Sequence, residues 1–259
     1  MIIASWNINS VRLRLPLLLG YLRETSPDVL CLQELKCEDA QFPRMEIEDA
    51  GYNCLVHGQK SWNGVAILSK GPLEEARRGL PGDENDAHAR YLEATTPFGA
   101  GVLRVASIYL PNGNPVGTEK FAYKLAWMAR LNAHARQLLA WEEPLVLAGD
   151  YNVMPAPEDV YDPVGWADDA LFRLETREQF RSLANLGFTD ALRAVTDAPK
   201  QYTFWDYQAL AWQKNKGLRI DHLMLSPQAA DRLKSVTIDK AMRAKEKPSD
   251  HVPIRAELA

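Results

Sequence analysis

Short apolar runs bounded by turn residues recur along the whole chain, at Ile2–Trp6, Val29–Gln33, Val65–Ser69, Arg90–Thr95, Val102–Leu110, Leu145–Gly149, Arg219–Leu225 and Val252–Leu258. Several alternate with a period of two. The run Val102-Leu103-Arg104-Val105-Ala106-Ser107-Ile108-Tyr109 is rich in β-branched residues and reads as a strand. Helical patterns are fewer. One is expected over Pro16–Glu24. A long one is expected over Thr118–Trp141, opened by the capping pattern Thr118-Glu119, with Phe121, Leu125, Met128, Leu131, Ala135 and Leu138 on one face. Shorter helices are expected over Gln179–Leu186 and Pro227–Leu233. Strands spread from end to end with few helices among them predict sheets that share a core with helices outside, a layered α/β sandwich. No Ser/Gly linker, low-complexity tract or strict repeat divides residues 1–259, so one domain is expected. Only Met154–Glu175 is long and without periodicity, and a loop of that length in a compact domain usually carries function.

The composition, 46% hydrophobic and 25% charged, is that of an ordinary globular chain. At this length about 70–75% of the unfolded surface can be buried, so the core needs no covalent staples. Cys31, Cys37 and Cys54 form no CxxC pair and lie beside no histidine cluster, which argues against a disulfide frame and a zinc site and for a reducing cytoplasm. The opening MIIASWNINS lacks a basic segment before an apolar one, and no run approaches the roughly 18 apolar residues of a spanning helix. No signal peptide and no membrane association are therefore expected. The net charge of −4 hides a polarised chain. Between Trp212 and Lys247 nine basic residues face four acidic ones, whereas between Glu142 and Glu175 nine acidic residues face Arg173 alone.

Polar residues collect where the apolar strands end. Asn7 follows Ile2–Trp6, Glu34 follows Val29–Gln33, and Asp150 and Asn152 follow Leu145–Gly149. Asp221 and His222 interrupt Arg219–Leu225, and Ser249-Asp250-His251 precede Val252-Pro253-Ile254. A single carboxylate there is most often a turn or cap residue, and a single histidine a surface hydrogen-bonder. Five such ends point instead to one rim carrying carboxylates, carboxamides and histidine. Hard oxygen donors without thiolates suit Mg²⁺, with Mn²⁺ able to substitute, and Mg²⁺ commonly accompanies phosphates. An imidazole beside one carboxylate, with another to orient or deprotonate water, completes the parts needed for phosphodiester hydrolysis.

The segments Ser5-Trp6-Asn7-Ile8-Asn9, Leu32-Gln33-Glu34-Leu35-Lys36, Gly149-Asp150-Tyr151-Asn152, Gly217-Leu218-Arg219-Ile220-Asp221 and Glu246-Lys247-Pro248-Ser249-Asp250-His251 follow one another in a telling order. With Tyr109-Leu110-Pro111-Asn112-Gly113 and Tyr202-Thr203-Phe204-Trp205-Asp206-Tyr207, the chain resembles the exonuclease III family of AP endonucleases from Ile2 to Leu258. The resemblance implies a four-layered α/β sandwich, two mixed β-sheets packed face to face and flanked by helices. It also implies a Mg²⁺-dependent nuclease of DNA repair, a 3′-to-5′ exodeoxyribonuclease with AP endonuclease activity, acting as a monomer on double-stranded DNA with abasic sites or recessed 3′ ends. By the same resemblance Glu34 is the main metal ligand, with Asn7 and Asp250 close by. Asp150 orients or deprotonates the attacking water, and Asn152 stabilises the transition state. His251, oriented by Asp221, faces the phosphate, and Tyr109 bonds to the phosphate or supports the leaving group. Lys36, Asn112 and Arg219 are expected to contact DNA phosphates. Phe204, Leu218 and Ile220 match the family's sugar-pocket positions. Asn9 stands where some members have Asp, and Leu218 where some have Trp. Leu171 stands where some have glycine, which predicts strong exonuclease activity and weaker abasic cleavage.

Two other readings were open to the residues. A phosphatase or phosphodiesterase of the same superfamily, acting on a lipid headgroup or small phosphate ester, fits the acidic net charge. The Tyr202–Asp221 block and the local basic stretch favour DNA instead. A catalytically inert binding module is disfavoured because every rim position carries a competent side chain.

Overall fold

The computed structural model describes Met1–Ala259. Its strands are Ile2–Asn7 (β1), Val29–Gln33 (β2), Asn53–His57 (β3), Val65–Ser69 (β4), Glu74–Arg78 (β5), Tyr91–Phe98 (β6), Gly101–Tyr109 (β7), Leu145–Asp150 (β8), Thr189–Asp190 (β9), Asp221–Leu225 (β10), Leu233–Ile238 (β11) and Ile254–Leu258 (β12). The helices are Leu15–Thr25 (α1), Arg44–Asp49 (α2), Glu119–Leu139 (α3), Leu174–Asn185 (α4), Ala191–Val195 (α5) and Pro227–Ala230 (α6). Two six-stranded sheets result, in the orders β11-β12-β1-β2-β4-β3 and β5-β6-β7-β8-β10-β9. Both are mixed, because β1 runs parallel to β2 and β7 parallel to β8 while the other pairs are antiparallel.

The period of two decides the layering. Ile3, Val29, Cys31, Val65 and Ile67 of the first sheet meet Leu92, Val105, Val146, Ala148 and Leu223 of the second. Their neighbours Ala4, Trp6, Leu30 and Leu32 point the other way, onto Leu18 and Leu22 of α1 and Ile47 of α2. Ala106, Ile108, Leu145 and Leu147 likewise face Trp127, Met128 and Leu131 of α3 and Phe180 and Leu183 of α4. The expected four layers are therefore present, with alternate residues of one strand serving different layers.

The topology delivers the polar strand ends to one rim. Asn7 pairs with Gln33 at the end of one parallel ladder, Tyr109 with Asp150 at the end of the other, and Asp221 starts β10 opposite Asp150. Gly149 permits the close approach of β7 and β8 just below this rim: a Cβ there would lie 2.0 Å from the Ile108 carbonyl oxygen. Beneath the first-sheet end, Gln33 Nε2 donates to Ser5 Oγ at 3.2 Å and to Ser107 Oγ at 3.1 Å, linking the two sheets through buried polar groups.

Some boundaries differ from expectation. Thr118 does not cap α3; its hydroxyl donates to the Pro115 carbonyl. Helix α4 begins at Leu174 rather than Gln179, after Arg173, which offers no side-chain cap to mark the start. The helix expected over Pro227–Leu233 stops at Ala230, and Leu233 opens β11. Strand β5, Glu-Glu-Ala-Arg-Arg, is exposed throughout and lies at a sheet edge, so it carries no apolar pattern to read. No helix is long and apolar enough to cross a membrane.

Candidate active site

Glu34 leaves β2 in a left-handed conformation (φ 52°), as do Lys36 (φ 55°) and, after β8, Asn152 (φ 48°). For residues with a Cβ this conformation is unfavourable, so at these three positions the surrounding fold imposes the geometry. Glu34, Asp150 and His251 converge, with one potential ligand atom of each within 4.8 Å of the others. Asn7 Nδ2 bridges the two carboxylates, donating to Glu34 Oε1 at 2.9 Å and to Asp150 Oδ2 at 3.0 Å. Lys36 Nζ lies 2.9 Å from Glu34 Oε2 and donates to Asn9 Oδ1 at 2.6 Å; Asn9 Nδ2 in turn donates to Asp250 Oδ1 at 2.9 Å. Burial alone would raise the Glu34 pKa, but the Lys36 ammonium and the Asn7 amide hold it below the usual carboxylate range.

His251 Nδ1 is 2.8 Å from Asp221 Oδ2, and its Nε2 is 3.8 Å from Asp150 Oδ2. Burial disfavours the imidazolium, yet the Asp221 and Asp150 carboxylates overcome it and raise the pKa. Asp150 is pushed up by burial, opposed by His251 and reinforced by Asp221 and Glu34. It still accepts from three nitrogen donors, Asn7 Nδ2 at 3.0 Å, the Asn152 backbone N–H at 2.9 Å and Asn152 Nδ2 at 3.4 Å. The Phe204 ring stands edge-on to the His251 ring, 4.9 Å between centroids. Tyr109 faces Glu34 and Asp150; burial first, then these two charges, raise its pKa, so its hydroxyl keeps its proton and serves as a donor. Asn152 Nδ2 donates to the Leu110 carbonyl at 2.9 Å, and Asn112 Nδ2 to Asn152 Oδ1 at 3.4 Å.

These groups open into a cavity of about 310 Å³. One wall is polar, with Glu34, Tyr109, Asn112, Asp150, Asn152, Asp250 and His251, while Leu171, Phe204, Leu218 and Ile220 form an apolar wall. Leu171 is only 4% exposed and packs with Leu218, Ile220 and Phe121. It therefore shapes the cavity from within its apolar wall. Asn114, Trp166, Asp169 and Asp206 also line the cavity and escaped the sequence reading. Trp166 and Asp169 lie in the aperiodic stretch Met154–Glu175, whose length was the only signal for them.

Two expectations need correction. Asn7 does not present a ligand oxygen: its Oδ1 accepts the Asn9 backbone N–H at 3.0 Å, and its nitrogen faces the carboxylates. Asn7 holds Glu34 and Asp150 in place instead. Arg219 is 1% exposed and cannot reach a DNA phosphate. Its guanidinium pairs with Asp159 Oδ1 and Asp190 Oδ2, each at 2.7 Å, and donates to His222 Nδ1 at 3.1 Å. Arg243 is buried as well, donating to the Trp205 carbonyl, whereas Lys214, Lys216, Lys245 and Lys247 are exposed.

The Arg219 network fixes the state of His222. Arginine can only donate, so Nδ1 is the acceptor and Nε2 carries the proton it donates to the Val153 carbonyl at 2.9 Å. Burial and then Arg219 lower the His222 pKa to about 4, despite Asp190 at 4.0 Å. A histidine held neutral contributes stability that is complete above its unfolded pKa near 6.5 and is lost as pH falls toward 4, about 3 kcal/mol over that window. In an NMR titration of ring signals, His222 should titrate well below pH 6, with stability to urea falling in step. Titration near 6.5 would remove His222 as the cause of any acid sensitivity.

A model of the endonuclease/exonuclease/phosphatase family matches residues 4–251. Exodeoxyribonuclease III of Haemophilus influenzae is 35% identical, over 98% of this chain and 98% of its own length. Among solved structures, the 3′ phosphatase NExo from Neisseria, bound to a product DNA hairpin, is similar at TM-score 0.96 and 39% identity, covering 100% of this chain and 99% of that one. An AP endonuclease from Archaeoglobus fulgidus is similar at TM-score 0.94 and 35% identity, covering 100% and 99%. With nearly the whole length matched and the rim residues assembled into one cavity, the chain belongs to the endonuclease/exonuclease/phosphatase family, within its exonuclease III group.

Proposed function

We propose that the protein is a Mg²⁺-dependent DNA repair nuclease that hydrolyses phosphodiesters of duplex DNA, acting at recessed 3′ ends and at abasic sites. The observation that carries this reading is the cavity's division: paired carboxylates and an imidazole on one wall, and on the other an apolar surface of Leu171, Phe204, Leu218 and Ile220 against which a baseless sugar fits. The relatives' descriptions, an exodeoxyribonuclease, an AP endonuclease and a DNA 3′ phosphatase, share cleavage of a phosphate ester of DNA. The carboxylate oxygens of Glu34, with those of Asp150 and Asp250 nearby, fit a hard cation, and no thiol competes because all three cysteines are buried in the core. When bound, a divalent cation supplies positive charge at the phosphoryl oxygens.

The chain's own groups do the rest. Asp150, held by Asn7 and the Asn152 N–H, accepts a proton from water attacking phosphorus. The His251 imidazolium, oriented by Asp221, and the Asn152 and Asn112 amides donate to charge developing on the phosphate. Tyr109 donates toward the phosphate or the departing oxygen. Phe204 fixes the imidazole from its edge. Lys36 and Asn9 flank the Glu34 end, and exposed lysines such as Lys214 and Lys247 contact the DNA backbone. Residues 1–259 act as one domain, with β12 pairing with β1 across the chain's two ends. A monomer in the cytoplasm is the expected setting, its three free thiols suiting a reducing compartment.

The test is a labelled duplex with a central abasic analogue and a recessed 3′ end, incubated with and without Mg²⁺. A ladder from the 3′ end and incision at the analogue are expected, both requiring the metal. Hydrolysis of a small phosphate ester with the duplex untouched would overturn the reading in favour of a small-ester phosphatase. Leu171→Gly, assayed on both parts of the duplex, should enlarge the pocket and raise abasic incision relative to exonuclease action. Loss of a buried leucine costs about 2–5 kcal/mol, so rates are compared at a temperature where both proteins are folded. An unchanged ratio removes Leu171 from substrate selection.

A further inference from the structure

Lys124 sits in α3 on the helix's buried stripe, between Phe121 and Met128, and none of its surface is exposed. A lysine there is unusual because an ammonium removed from water is costly unless its donors are all satisfied. No carboxylate forms an ion pair with it. Its Nζ donates instead to three backbone carbonyls, those of Pro111 at 3.1 Å, Asn112 at 3.1 Å and Asn152 at 2.6 Å, which uses all three N–H donors. These carbonyls belong to the two loops that bring Asn112 and Asn152 to the cavity. The fit is mutual. Gly113 has φ 88°, and a Cβ there would lie 2.5 Å from Lys124 Cδ, so the turn closes over the lysine stem only with glycine. A methionine or leucine would fill the same space in the stripe without the cost of a buried charge, so packing alone does not explain the residue.

We propose that Lys124 is a positioning residue for phosphodiester hydrolysis: by drawing the Pro111, Asn112 and Asn152 carbonyls inward to one ammonium, it locks the two loops so that the Asn112 and Asn152 carboxamides meet in the cleft. Both backbone polar groups of Asn152 are then accounted for. Its carbonyl is held by Lys124, and its N–H is held by Asp150 Oδ1 at 2.9 Å. The left-handed backbone of Asn152 (φ 48°) is sustained between them. The Asn112 Nδ2 to Asn152 Oδ1 contact at 3.4 Å is the visible result. This assignment rests on the proposed role of Asn152 at the phosphate.

The test is a kinetic double-mutant cycle with Lys124→Met and Asn152→Ala on the labelled duplex. Lys124→Met, nearly isosteric but unable to donate, should lower kcat by about 10²-fold, comparable to the loss of one preorganised donor, and leave KM within about threefold. In the Asn152→Ala background the same substitution should cost less than about threefold, because the group it positions is gone. Parental kcat in folded Lys124→Met, or losses that multiply in the double variant, overturns the proposal and leaves Lys124 a stabilising residue only. If Asn152→Ala alone retains parental kcat, the reading of Asn152 fails, and that single-variant rate is measured separately. Should Lys124→Met fail to fold, Lys124→Gln, which is shorter and has too few N–H donors for three carbonyls, is read in the same cycle: a smaller loss of kcat that vanishes in the Asn152→Ala background is expected, and parental kcat overturns the proposal.

Discussion

Glu34→Gln should abolish DNA cleavage, by about 10³-fold or more, without unfolding the protein. Charge stabilisation at a metal-bound phosphoryl group amounts to several kcal/mol, and each 1.36 kcal/mol is a factor of ten in rate. Glutamine keeps the size of the side chain, and its one carbonyl oxygen can accept from Asn7 or from Lys36 though not from both, so the turn at residue 34 keeps one of its two side-chain ties. What it loses is the full negative charge that Lys36 and Asn7 hold ionised against burial. The measurement is cleavage of the labelled duplex across a Mg²⁺ titration, paired with calorimetric metal binding and DNA binding in chelator. Expected are a lost calorimetric metal signal, DNA affinity within a few-fold of the parent, and a rate that added Mg²⁺ does not restore. Near-parental turnover at saturating Mg²⁺ would take Glu34 out of the metal site.

How the site was legible in the chain follows from what each signal can encode. Strands β2 and β4 were readable to the residue because both faces are buried and turn residues bound them. The polar residues after β1, β2 and β8 were readable as a rim because an apolar strand that stops at a carboxylate or carboxamide delivers it to a sheet end. Orientation was not readable. Asn7 has an oxygen fit for a metal, but whether it faces the metal site depends on the Asn9 N–H and on Asp150, brought near by a different sheet. Arg219 counts toward a basic stretch on paper, yet Asp159 and Asp190, distant in sequence, take its charge into the interior. Lys124 is the reverse case: its spacing from Phe121 and Met128 already places it on the buried stripe, although it carries a charge. A charged residue in register with a core stripe is thus a sequence signal for a buried polar tie.

Asp150→Asn should separate activity from stability in opposite directions. The substitution preserves shape, but the amide cannot take a proton from the attacking water, and turnover should fall about 10³-fold or more, at least as much as for a lost preorganised donor. The folded protein, in contrast, should gain stability at neutral pH. Asp150 is 1% exposed, and burial raises its pKa above the unfolded value near 3.9. A carboxyl group so raised favours the folded state while protonated, and this contribution shrinks as pH rises above that unfolded value. Asparagine carries no such penalty, so the urea midpoint of Asp150→Asn should exceed the parent's most clearly on the alkaline side. His251 responds as well, because Asp150 is one of the carboxylates, with Asp221 and Asp250, that sustain its imidazolium; without it the His251 pKa should drop, which NMR can follow directly. Asp221 remains at 2.8 Å, so the ring keeps its orientation and its loss of charge can be told from a loss of position. An Asp150→Asn protein that cleaves DNA at the parental rate would refute the assignment of the water-orienting group. One that is inactive and also less stable would overturn the stability half alone, because the hydrogen bonds that Asp150 accepts from Asn7 and the Asn152 N–H would then outweigh the cost of its buried charge.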